Sequence, residues 1–145
     1  MNFRDLTFKA INEMRQFPNG YNMMLGNNEI LDEWISQVGV IVQLLNYRDF
    51  SGSRIKDIVI EQEGLYFFDM SCGFSGGWDM VHIPMEVLSD EDSVFAAKCI
   101  GLKERIQSST NSLQELRRKV TIEEIRLQNL RNELQQVYDD KRDGV

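Results

Sequence analysis

The side chains able to do nucleophilic or acid–base chemistry in this sequence are few: Cys72, Cys99, His82 and the aspartates Asp69 and Asp79. A cysteine nucleophile needs its base in contact. If three strands form a meander with a two-residue first turn and a five-residue second turn, Cys72 faces Trp78. His82 then lies four positions further along, about 13 Å away at ~3.3 Å per residue, so the two do not form a dyad. One histidine, two separated cysteines and no C-x-x-C or H-x-x-x-H spacing leave a closed zinc site short of ligands.

Asp69 and Asp79 can be neighbours on one sheet face, where paired carboxylates serve acid–base or magnesium chemistry. The competing reading makes them solvated residues beside a turn. Gly73-Phe74-Ser75-Gly76-Gly77 is glycine-rich but precedes a strand, whereas phosphate-cradling loops precede a helix. It reads as a hairpin loop that displays Phe74 and Trp78. The sequence therefore points to no catalytic residue, metal or cofactor, and a carboxylate enzyme at Asp69 and Asp79 is the least favoured function.

The chain that positions these residues has 145 residues, 42% of them hydrophobic, which is enough for a packed core. No apolar run reaches the ~18 residues of a membrane helix, and Met-Asn-Phe-Arg-Asp lacks a signal-peptide layout. A cytoplasmic protein with reduced thiols is expected. Net charge is −7, unevenly spread: residues 1–98 carry 7 basic and 15 acidic side chains, residues 99–145 carry 9 and 8. An acidic head repels phosphate backbones, so direct nucleic-acid binding is not expected. The cluster Arg117-Arg118-Lys119 reads as a solvated helix face.

The periodicity gives an α+β fold with two N-terminal helices, a three-stranded antiparallel meander and a long C-terminal coiled-coil helix. Residues 3–17 repeat apolar side chains every three or four positions until Pro18-Asn19-Gly20. Asn27 or Asn28 can cap a second helix that buries Leu31, Trp34, Ile35, Val38, Ile41, Val42 and Leu45. Strands follow over 55–62, 65–72 and 78–83, with Glu63-Gly64 as the first turn. That register sets Ile60 against Phe67, Phe68 against His82 and Met70 against Met80. Ile58, Ile60, Leu65, Phe67, Val81 and Ile83 then face the helices. The opposite face carries Val59, Glu61, Tyr66, Phe68, Met70, Cys72, Trp78, Met80 and His82, either covered by a helix or open as a recognition surface.

Ser89 and the carboxylates after it suit a helix start. From there a seam recurs in alternating steps of three and four: Leu102, Ile106, Leu113, Leu116, Val120, Leu127, Leu130, Leu134 and Val137, with Cys99 before them and Ser109 and Glu123 interrupting. A seven-residue repeat keeps one stripe facing a partner helix, so these residues are assigned to oligomerisation, most simply a homodimer. Residues 1–92 are expected as an α+β head and 93–145 as the long helix. Residues 108–112 and the region of Thr121 are the places where that helix could break. Parallel, antiparallel and four-helix arrangements stay open.

The stretch from Gly64 to Asp92, with its aromatic meander, Gly-rich loop, Ile83-Pro84 strand end and acidic Ser89-Asp90-Glu91-Asp92, resembles small accessory proteins of bacteriophages and mobile elements. That resemblance implies an accessory gene product, a class that includes inhibitors of bacterial defence complexes of the CRISPR–Cas type. The partner expected is thus a host protein or protein complex, met by Glu61, Glu63, Asp90 and Asp92 on the acidic head and by Phe74 and Trp78 on the loop. A coiled-coil adaptor is the alternative.

Overall fold

The computed structural model describes residues 1–46, 50–70 and 77–144. Among them the chain is α+β, with four helices and a four-stranded antiparallel sheet: α1 (Phe3–Met14), β1 (Tyr21–Asn22), α2 (Glu29–Leu44), β2 (Arg54–Glu61), β3 (Gly64–Met70), β4 (Trp78–Pro84), α3 (Met85–Ser89) and α4 (Ser93–Asp143). Two expectations are corrected here. The sheet has four strands in the order β1-β2-β3-β4, and the helices do not simply precede it, because β1 stands between α1 and α2 and pairs Tyr21 with Ile55 and Asn22 with Arg54. A strand of two residues is too short to show alternation, which hid it in the sequence.

Two compact units result, residues 1–103 and 104–145. The first unit includes the first turns of α4, where Ser93, Ala96, Ala97 and Gly101 are buried. A Cβ on Gly101 would lie 2.0 Å from the Leu44 carbonyl oxygen, so only glycine lets α4 approach the end of α2 this closely.

α1 begins at Asn2, whose side chain accepts the Asp5 N–H, and α2 begins at Asn28, whose side chain accepts the Leu31 N–H. The apolar stripe of α2 lies inward, with Leu31, Trp34, Val38 and Ile41 fully buried. Trp34 packs edge-on to Phe67 of β3 at 5.1 Å and donates its indole N–H to the Thr7 hydroxyl on α1 at 3.0 Å. One aromatic thus joins both helices to the inner sheet face and satisfies its polar atom there.

The register differs from that expected in both hairpins. Ile60 pairs with Leu65, Phe68 with Met80 and Met70 with Trp78. The first turn is Gln62-Glu63, one position early, because Gly64 at φ 145° opens β3 where its Cβ would strike the Ile83 carbonyl. Over residues 59–61 of β2 and along β4 each partner moves by two residues, so those side chains keep their faces. A bulge between Lys56 and Val59, with Asp57 at φ 54°, inserts one extra residue in β2. Ile55 and Ile58 are thereby both buried, although strict alternation sends them to opposite faces.

α4 is one helix through 108–112 and past Thr121. The hydroxyls of Thr110 and Thr121 donate to the carbonyls of Ile106 and Arg117 at 2.8 and 3.0 Å, which keeps them within the helix instead of capping a new one. Its cap is Asp92, not Ser89: the Asp92 side chain accepts the Phe95 N–H at 3.1 Å, whereas Ser89 closes α3 by donating to the Met85 carbonyl.

Candidate interaction surfaces

Asp69 and Asp79 stand directly opposite each other in β3 and β4, yet only Asp79 is exposed. Asp69 is fully buried, and its carboxylate accepts the Ser51 N–H at 2.8 Å and both the Gly52 N–H and the Ser51 hydroxyl at 3.1 Å. Burial pushes this carboxyl above the ordinary carboxylate range; the three hydrogen bonds pull it back, and the charge of Asp79 adds to the rise. Asp69 therefore works by holding the loop before β2 against the end of β3, and the reading of it as a solvated turn residue is corrected.

His82 stacks on Tyr66 with ring centroids 4.5 Å apart, and its Nε2 lies 3.2 Å from the Glu63 carbonyl oxygen. Cys72 and Phe74 lie outside the described residues, so the dyad argument and the displayed phenylalanine find no counterpart in the geometry. Cys99 is half-buried in the first turns of α4. Among the described residues no three His, Cys, Asp or Glu side chains gather as a metal site.

On the outer sheet face, Val59 is 44% and Met80 62% exposed, with Tyr66, Phe68, Met70, Trp78 and His82 half-buried among one another. This face is open. Over Trp78 lie the Lys56 ammonium, 4.3 Å from the ring centroid, and the Arg54 guanidinium at 5.6 Å. Each cation replaces part of its lost hydration with the ring quadrupole. Sequence reasoning missed both, although their alternation with Ile55 in front of an aromatic face was the available signal.

Glu61 and Glu63, assigned to a partner, do not converge with Trp78. Glu61 and Glu63 are exposed at the β2–β3 turn, while Trp78 pairs with Met70 six positions along β3 from Gly64, which pairs with Glu61. That separation is about 20 Å at ~3.3 Å per residue. Asp90 and Asp92 belong to the link before α4, where Asp90 accepts the Asp92 N–H at 2.8 Å and Asp92 caps the helix. Both therefore have local structural work.

No family model, curated protein or solved structure matches this chain. No helix among the described residues is long and apolar enough to cross a membrane.

In the second unit the seam is laid out along a single helix face. Leu113, Leu116, Val120, Leu127, Leu130, Leu134 and Val137 are 48–62% exposed, with Ile106 at 64%; Leu102, in the first unit, is 44% exposed. Leu116, Lys119, Val120, Glu123, Glu124 and Leu127 line an apolar hollow of about 340 Å³. Those six residues are two successive diamonds of positions i, i+3, i+4 and i+7, the shape that receives a knob from a facing helix. Away from the seam, Arg118 binds Glu115 at 2.6 Å, and Arg126 beside the seam binds Glu123 at 3.1 Å.

Proposed function

We propose that the protein is a non-enzymatic, cytoplasmic protein-binding protein. Its tail helix joins a second copy, and its head presents a contact surface to another protein. The seam from Ile106 to Val137, eight large apolar side chains each about half exposed, carries this reading. Burying the exposed half of one such side chain stabilises by about 1 kcal/mol. Two copies of the seam thus supply on the order of 16 kcal/mol, comparable with or above the ~4–15 kcal/mol lost in freedom on association.

Light scattering of the full chain at micromolar concentration tests it: a dimeric or higher mass supports the reading, and a monomeric mass sinks it. The adaptor reading stands second because Ile122 and Ile125, 43% and 58% exposed, lie off the seam, where a two-stranded pair leaves them uncovered. The resemblance to phage accessory proteins supplies a target class, a host defence complex.

A further inference from the structure

We infer that the seam of the second unit fits a partner helix whose flanking positions are acidic, and fits it better than it fits a second copy. The inference rests on the reading of the seam as a helix-pairing surface. In a seven-residue repeat the two rows beside the seam decide who pairs with whom. Here those rows hold Arg105, Lys119 and Arg126 with Glu133 and Asp140 on one side, and Arg117 and Arg131 with Glu124 on the other. Acidic side chains are displaced elsewhere, Glu104 and Glu115 to the far side of the helix and Glu123 into the seam itself.

Self-pairing gains little from these rows. In a parallel pair Lys119 meets Glu124 of the second copy, but Arg126 meets Arg131, and Glu123 comes into one layer with its own equivalent. In an antiparallel pair each row faces its own copy, and basic residues outnumber acidic ones in both. The self-pair is consequently held by the seam alone. A helix with Glu or Asp in both flanking rows keeps the same apolar contacts and turns each basic residue into an attraction. Such a helix displaces the second copy.

The test uses the full-length protein and two labelled synthetic helices of the seam's length with identical leucine seams, one with Glu and one with Lys in all flanking positions. The expected result is tighter binding of the Glu-flanked helix, by about tenfold or more, with the difference shrinking in molar salt. Light scattering then shows the self-pair converting to a one-to-one complex. The triple variant Arg117→Glu, Lys119→Glu, Arg131→Glu should reverse the preference while the head unfolds as before. Equal affinity for the two helices, or a self-pair that neither displaces, overturns the inference and leaves self-assembly standing. A protein that is monomeric and binds neither helix overturns both.

Discussion

Asp69 accepts the backbone N–H of Ser51 at 2.8 Å from a position with no exposure to water. Removing the acceptor strands the Ser51 and Gly52 donors. Asp69→Ala should cost about 2–3 kcal/mol of head stability, read as a lower urea midpoint by tryptophan fluorescence. Trp34 and Trp78, the two tryptophans of the chain, both report on the head.

The same carboxyl sets a pH dependence. Its folded value is raised above the 3.8 of an ordinary aspartate, so the folded state holds the proton more tightly than the unfolded state. The stability this group contributes is therefore fully present below that ordinary value and declines as pH rises through the folded one. Subtracting the urea stability of Asp69→Asn from that of the wild type should give a difference that falls as pH rises from about 4. A difference that is flat or rises with pH contradicts the assignment.

Tyr21 joins β1 to α2: its hydroxyl donates to Asp32 at 2.6 Å and accepts the Asn28 N–H at 3.1 Å, while the ring is fully buried. Tyr21→Phe keeps the ring and removes both bonds. A loss of about 1–3 kcal/mol is expected, with an unchanged denaturant slope because the exposed area of unfolding is the same.

Gly101→Ala pits helix propensity against sterics. Alanine is favoured by ~1 kcal/mol inside a helix, but its Cβ would lie 2.0 Å from the Leu44 carbonyl oxygen, and such overpacking costs about 1–3 kcal/mol or more. The clash should win, lowering the melting temperature of the head. An increase would mean that α4 does not dock on α2 as described.

Glu123 interrupts an apolar row, and its carboxylate pairs with Arg126 on the same helix at 3.1 Å. Glu123→Leu continues the seam and removes a charge that helix pairing would desolvate. Self-association should tighten by at least about tenfold, measured as a shift of the dimer transition in sedimentation equilibrium. Weaker association would place the seam somewhere other than the interface.

The helices were legible because their signal is long: the stripe of α2 and the seam of α4 repeat over many turns, and caps such as Asn28 are local. The three longer strands were legible as elements and, beyond the bulge in β2, as faces, but not in register. A glycine needed at φ 145° could sit in the turn or just after it, and only its close approach to Ile83 places it after. The surfaces were read unevenly. The seam could be written residue by residue, whereas the charge of Asp90 and Asp92 does not reveal the backbone N–H groups that they also accept. The alternation of Arg54 and Lys56 with Ile55 puts the two cations on one face, but their place over Trp78 follows from pairing across three strands.

Asp57 adds a bend to β2 without adding a side chain to either face, since Lys56 already pairs with Phe68 and Val59 with Tyr66 around it. A chain lacking this one residue would read Ile55, Lys56, Ile58, Val59 and Ile60 as an unbroken alternation, with all three isoleucines still inward. Deletion is usually harsher than substitution in a strand; here either losing Asp57 or gaining one more residue beside it makes the spacing of Ile55 and Ile58 even, so both changes keep Ile55 inward and Arg54 outward.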